Sequence, residues 1–212
     1  MIAEELDSLY RSNICVLSGP NLSREIARGL PASTVVASAD AHLAERVQGM
    51  MNSPAFHVYT SDDVIGVELG GALKNIIALG AGMVDGLGYG NNAKAAYMAQ
   101  GLTEIAGLGV ALAANPITFL GLAGLGDLLA TCASRLSRNH TLGEGLARGR
   151  SMEEVMASMG SVVDGVTTTA ATLKLARELG MKMPITERIY RVLFEGLDPA
   201  QAMAELLGGQ GV

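Results

Sequence analysis

Tryptophan is absent, and aromatic residues make up only 4% of the chain. A core built on stacked rings is therefore excluded. Cysteine is nearly missing too. Cys15 and Cys132 stand far apart with no CxxC pair, which argues against a disulfide framework or a thiolate zinc site and for reduced thiols in a cytoplasmic protein. His42, His57 and His140 share no ligand-like spacing, so no metal site is expected. Positive charge is scarce. The net charge is −6 and no cluster of Lys and Arg occurs, so nucleic acid is not an expected partner. Met1 leads into the acidic MIAEELDSLY, so no secretory leader is expected. The apolar runs are interrupted by Lys74, Asp85, Glu104 and Asn115, and none reaches the ~18 residues that a membrane span needs. No internal repeat is present.

Apolar residues nevertheless form 49% of the 212 residues, and glycine occurs 27 times. That is enough for one large or two small domains with a core of Ala, Leu, Val, Ile and Met, a composition suited to closely packed helices.

Residues 1–10 read as the last turns of a helix. Strand patterns follow at 13–18, 34–37 and 56–60, with helix patterns at 22–29 and 41–51 between them. Strand, helix, strand, helix, strand is the rhythm of a parallel α/β unit. After Thr60 only helix patterns remain, at 62–84, 92–113, 124–134, 138–147, 151–157, 167–179, 184–195 and 198–207. Pro184 and Pro199 are placed in first helical turns. The expected fold is mainly α: an all-helical part at 61–212, preceded at 1–60 by half of a doubly wound parallel sheet. No GxGxxG follows a strand in those first 60 residues, so the dinucleotide fingerprint is missing there. The expectation is a fragment, or a chain whose partner half is supplied separately, inactive by itself.

The stretch with most chemistry in it is Asp62 to Asn75, DDVIGVELGGALKN. Thr60, Ser61 and Asp62 offer capping oxygens for a helix start. Two interior glycines, Gly70 and Gly71, cost roughly 1 kcal/mol each against alanine, so something must need the space they leave. Lys74 shares a face with Gly70, and Asn75 with Gly71. Lys74 is set among Ala72, Leu73, Ile76, Ile77 and Ala78. It is either a desolvated base or a lysine that snorkels to water from a packed helix.

Four further stretches stand out. Ser18-Gly19-Pro20-Asn21 lies at the carboxyl end of a strand, where open α/β sheets bind ligands, or is a plain turn. Gly121 to Asp127, GLAGLGD, ends in a carboxylate that is either an N-cap or a group orienting Lys74 or a substrate hydroxyl, with Thr131 one turn further on. Ser137-Arg138-Asn139 at a helix start joins a planar guanidinium to neutral donors and suits an oxyanion, unless the arginine is simply solvated. Lys94, after the flexible GLGYG, is a weaker anion candidate.

Together, and in order, SGPNLSREIARGLP, VELGGALKNIIALGAGMVDGLGYGNNAKAA, TFLGLAGLGDLLATC, SRN, VVDGVTT and MPITERIYRVL closely resemble bacterial-type NAD(P)-dependent glycerol-3-phosphate dehydrogenase. The resemblance covers essentially the whole chain. It implies that 1–60 is a remnant of a Rossmann-like domain whose glycine-rich loop and a further substrate-binding lysine lie outside this chain. It implies interconversion of dihydroxyacetone phosphate and sn-glycerol 3-phosphate with NAD or NADP, in the cytoplasm, with a possible homodimer.

The resemblance makes Lys74 the catalytic base, which takes the hydroxyl proton in oxidation and returns it in reduction. It assigns substrate contacts to Gly19, Asn21, Asn75, Asp127, Thr131, Ser137, Arg138 and Asn139, and cofactor contacts to Ser23, Arg138, Val162 and Asp164. Three positions depart from the family's usual residues: Asn21 stands where Ser or Thr is commoner, Asp164 where Glu is, and Gln100 where an arginine is usual. The alternatives are a related dehydrogenase with a helical substrate domain, which should lack GLAGLGD followed by SRN, and a non-catalytic helical module for dimerisation or binding.

Overall fold

The computed structural model describes Asp7, residues 13–134 and residues 136–208. The helix turns expected at 1–10 lie outside the described residues, Asp7 excepted.

In chain order the elements are β1 (Val16–Ser18), α1 (Ser23–Ile26), β2 (Ala32–Ala37), α2 (Ala41–Met51), β3 (Phe56–Ser61), α3 (Val64–Gly86), α4 (Gly90–Ala111), α5 (Pro116–Leu120), a π-helical turn (Leu122–Gly126), α6 (Asp127–Ala133), α7 (Arg138–Ala147), α8 (Met152–Met159), α9 (Asp164–Glu178), α10 (Pro184–Phe194) and α11 (Pro199–Leu207). The fold is mainly helical with one small sheet. By packing, the chain divides into two compact units. One comprises the described residues of Met1–Gly71 with Gly109–Asp127, the other Ala72–Leu108 with the described residues of Leu128–Val212. α3 and the helical run through Asp127 each pass from one unit into the other.

In the first unit the strands lie in the order β1-β2-β3. β2 and β3 pair in parallel, as the rhythm of the sequence implies, but β1 pairs antiparallel to β2. The reason lies in the connection. A parallel crossover needs a helix long enough to carry the chain back along the sheet, whereas α1 is a four-residue helix. Gly19 and Gly29, at φ 153° and 74°, turn the chain at either side of it. β1 is also shorter than expected. α2 is set by its cap, because the Asp40 carboxylate accepts from His42 N at 2.9 Å. Two small clusters form the core: Val36, Ala44 and Val58, and Ala37, Val67 and Ala123.

α3 starts later than its sequence suggests. Thr60, Ser61 and Asp62 do not cap it. Asp63 does, accepting from Gly66 N at 2.9 Å. The other Asp63 oxygen accepts from Asn115 N at 3.0 Å and from the Thr118 hydroxyl at 2.5 Å, which fastens α5 to the start of α3. The space left by the two glycines is filled by the protein itself. A Cβ on Gly70 would stand 2.5 Å from the Ala123 carbonyl oxygen, and one on Gly71 would stand 2.4 Å from Ser18 Oγ.

α3 has 23 residues and by length and hydropathy alone could cross a membrane, but 56% of its most apolar window is buried inside the protein. It also carries Lys74 and Asp85.

The second unit is all helical. Ile76, Ile77, Leu79 and Met83 of α3 are fully buried, with Tyr97, Ile105, Leu128, Leu142, Ile189 and Met203 from the other helices. Ser151 and Glu154 form a reciprocal capping box on α8. Pro184 and Pro199 sit in the first turns of α10 and α11. α7 lies almost backbone to backbone on α3: a Cβ on Gly82 would stand 2.1 Å from the His140 carbonyl oxygen, and one on Gly143 would stand 1.8 Å from that of Leu79.

Candidate functional site

The candidate residues fall in both units. In the first, the Ser18-Gly19-Pro20-Asn21 turn is tied to β2. The Thr34 hydroxyl donates to the Ser18 carbonyl at 3.0 Å and accepts from Asn21 Nδ2 at 2.8 Å. That arrangement fixes the orientation of the Asn21 amide, since a hydroxyl that has given its proton to a carbonyl can only accept from Asn21. Asn21 Oδ1 is then left buried with no hydrogen-bond partner. A buried acceptor in that state is costly and suits an incoming donor such as a substrate hydroxyl.

Gly19 passes so close to β2 that a Cβ would stand 3.0 Å from Thr34 Cα. Ser23 opens α1 and is exposed. Asp127 is not an N-cap. It continues the π-helical turn in helical conformation (φ −71°, ψ −35°) and is only 3% exposed. Its Oδ2 accepts from Ser18 Oγ at 3.4 Å, which joins the strand-end turn to the GLGD segment.

In the second unit, Lys74 and Asn75 occupy successive positions on α3, both half-buried. Thr131 on α6 is buried. Ser137 caps α7, its hydroxyl accepting from His140 N at 3.3 Å. This leaves Arg138 and Asn139 in the first turn pointing different ways. Asn139 is 6% exposed. Its Oδ1 accepts from Gly165 N at 2.9 Å, and its Nδ2 donates to Asn75 Oδ1 at 2.9 Å. Because Gly165 N can only donate, both amides are oriented, and Asn75 presents its NH2 group as the free end.

Arg138, by contrast, is exposed. Its guanidinium donates to the Val162 carbonyl at 2.7 Å and to Asp164 Oδ2 at 3.0 Å. Val162 and Asp164, assigned by resemblance to the cofactor, thus also hold Arg138. Lys94 is paired with Asp85 at 2.6 Å. Gln100 is exposed on α4.

Sequence reasoning missed Gly165 and the Ser18 hydroxyl as working parts. Ser18 opens a turn already singled out, so the residue was in view but its partner, far along the chain, was not. Gly165 acts through its backbone N–H, which leaves no side-chain signal. No group of three or more potential metal ligands occurs among the described residues.

One helix thus carries an amine and an oriented amide, and another starts with a guanidinium, groups that can donate to an oxyanion or a phosphate. A small α/β sheet followed in the chain by a helical unit that carries these groups is the organisation of dehydrogenases with a helical substrate domain. The family described as NAD-dependent glycerol-3-phosphate dehydrogenase C-terminus matches residues 63–204, and the corresponding N-terminus matches residues 1–44. The chain belongs to the NAD-dependent glycerol-3-phosphate dehydrogenase family.

It is 54% identical over 210 residues to glycerol-3-phosphate dehydrogenase (NAD(P)+) of a Dehalococcoides mccartyi strain, covering 99% of this chain and 58% of the relative. The Geobacillus kaustophilus protein of the same name is 53% identical, covering 98% and 60%. The crystal structure of glycerol-3-phosphate dehydrogenase from Coxiella burnetii is similar with a TM-score of 0.89 at 40% identity, over 91% of this chain and 59% of that one. This chain therefore spans 58% of the length of the Dehalococcoides relative.

Proposed function

We propose that this chain carries the substrate-holding and proton-transferring part of an NAD(P)-dependent glycerol-3-phosphate dehydrogenase, interconverting dihydroxyacetone phosphate and sn-glycerol 3-phosphate. The observation that carries the reading is the relay from Gly165 N through Asn139 to Asn75. It turns an amide NH2 outward at the residue next to Lys74, in the GGALKN segment on which the family resemblance centres. In this reading the Lys74 amine receives the C2 hydroxyl proton during oxidation and returns it during reduction, while Asn75 Nδ2 donates to the same oxygen. Arg138 supplies a planar charge for the phosphate, with Ser137 beside it at the start of α7, while Asn139 serves the substrate by orienting Asn75. Gly19, Asn21, Asp127 and Thr131 are substrate contacts by the resemblance.

NAD or NADP, when bound, supplies or takes the hydride at C2. The donors present fit one end of such a dinucleotide. Val162 is 65% exposed beside Arg138 and Asp164, and these residues would hold it, while Ser23 is assigned to the cofactor by the resemblance alone. A glycine-rich pyrophosphate turn is not among the described residues. A cytoplasmic location and a homodimer belong to the same proposal. Neither Cys15 nor Cys132 is in a disulfide, which supports the former, and the exposed apolar Val110, Ile117 and Leu120 support the latter.

The test joins this chain in frame to the part of the Dehalococcoides relative that it does not match and follows NADH oxidation with dihydroxyacetone phosphate. Lys74→Ala should lower kcat by about 100-fold or more. A variant that keeps more than about a tenth of the activity would sink the assignment of Lys74.

A further inference from the structure

His140 follows Arg138 and Asn139 directly, yet it takes no part in the donor set described above. Its side chain is 6% exposed, and Nε2 lies 2.7 Å from Asp85 Oδ2. The same oxygen receives Lys94 Nζ at 2.6 Å. Burial raises the Asp85 carboxyl, but the hydrogen bonds and charges of Lys94 and His140 outweigh it and hold the group below its ordinary value. The carboxylate accepts, so His140 donates through Nε2. Nδ1 is buried without a partner, so no second hydrogen bond holds the ring. Asp85 is thus the one hydrogen-bond partner of the buried ring among the described residues.

Consecutive residues of α7 thus reach α3 at Asn75 and at Asp85. Ten residues of helix span about 15 Å, so the two side chains reach in opposite directions along α3. Between them the helices meet at Gly82 and Gly143. A glycine seam sets the distance between two helices but offers little to stop one sliding along the other. Sliding α7 either way along α3 would stretch one of the two polar bonds. We propose that the Asp85–His140 pair is a positioning pin: it locks the first turn of α7 in register on α3, and so places the Arg138 fork and the Asn139 amide for the phosphate-bearing substrate. Lys94 keeps the Asp85 carboxylate ionised as the acceptor. His140 acts through its neighbours and touches no substrate. The substrate part of this inference rests on the function proposed above.

The test uses this chain and three variants. His140→Leu removes the donor. His140→Gln restores it, because the Gln side-chain nitrogen is the same number of bonds from Cα as Nε2. Asp85→Ser shortens the acceptor out of reach and covers the case in which His140→Leu does not fold. One readout needs no ligand: the side-chain amide resonances of Asn75 and Asn139 should shift in His140→Leu and Asp85→Ser and return in His140→Gln. The other is calorimetric titration with glycerol 3-phosphate. The dissociation constant should rise about tenfold in the first two variants, as expected for loss of aligned charge-assisted bonds, and recover in the third.

Unmoved amide resonances, or a lowered melting temperature with unchanged affinity, would show a merely structural pair and overturn the proposal. So would failure of His140→Gln to restore either signal. If the unmodified chain ignores glycerol 3-phosphate while the resonances behave as expected, the pin stands and the functional reading falls.

Discussion

Asn139 Nδ2 donates to Asn75 Oδ1 across 2.9 Å, and this bond decides which end of Asn75 is free. Asn139→Asp tests it with almost no change of shape. The new carboxylate still accepts from Gly165 N but has no proton to give, so Asn75 must turn its NH2 inward to meet it. The free end becomes an acceptor facing a substrate oxygen. In the active fusion, kcat/KM for dihydroxyacetone phosphate should fall about tenfold or more, the scale of a lost hydrogen bond to a charged group. Wild-type kcat/KM in this variant would show that the orientation of Asn75 is irrelevant.

Arg138→Lys asks whether the planar fork matters or only the charge. The guanidinium bonds to both the Val162 carbonyl and Asp164, which an ammonium cannot reproduce in the same geometry. KM for dihydroxyacetone phosphate should rise by about tenfold or more, while reduction of unphosphorylated dihydroxyacetone suffers much less. Equal losses on both substrates would assign Arg138 to the cofactor or to loop 160–164 instead.

How much of this was legible beforehand depended on whether the signal was local. α2 follows its Asp40 cap and apolar period, and its bounds agree with the sequence pattern. α5 was missed because five residues carry no readable period, although Asn115-Pro116 is a cap followed by a first-turn proline. The reversed pairing of β1 was not legible, because the pattern of apolar residues is the same for either direction. Lys74, Asn75, Arg138 and Asn139 were visible as motifs. What connects Asn139 to Asn75 and Gly165, or His140 to Asp85, is helix-to-helix contact between distant positions, and no window of sequence holds both partners. The two glycines before Lys74 imply that something needs the space they leave, and at Gly70 that occupant is the backbone of Ala123.

The helix seam offers a test of packing alone. A Cβ at Gly143 would overlap the Leu79 carbonyl, which is backbone and cannot swing away. At Gly88, with φ 71°, an added Cβ meets nothing within 4 Å and bears only the conformational cost. Gly88→Ala should therefore destabilise by about 1–2 kcal/mol, and Gly143→Ala by more, at or above the 1–3 kcal/mol usual for overpacking. Chemical denaturation of the two variants side by side measures this. The reverse order would mean that α7 can lift from α3 at little cost.

The last prediction concerns Glu104, which was singled out in the sequence only as an interruption of an apolar run. It reaches from α4 to the start of α10. Its oxygens accept from Ile185 N at 2.7 Å, Thr186 N at 2.8 Å and the Thr186 hydroxyl at 2.7 Å. Met183, at the N-cap position, offers no side-chain cap, so a residue from another helix satisfies the orphan donors. Burial pushes the Glu104 carboxyl above its ordinary value of 4.5, although all three hydrogen bonds pull the other way.

The sign follows from linkage. A carboxyl whose folded value is raised makes its full contribution below the unfolded value, and part of that contribution is lost as pH rises through the folded one. Glu104→Gln removes the titration but keeps an accepting oxygen. The stability margin of the wild-type chain over Glu104→Gln, from urea unfolding between about pH 4 and pH 8, should therefore shrink as pH rises. Glu104→Leu leaves two backbone donors unpaired and should cost about 1–3 kcal/mol for each at every pH. A Glu104→Gln margin that widens with pH would mean the carboxylate is favoured by folding, with the three donors outweighing burial.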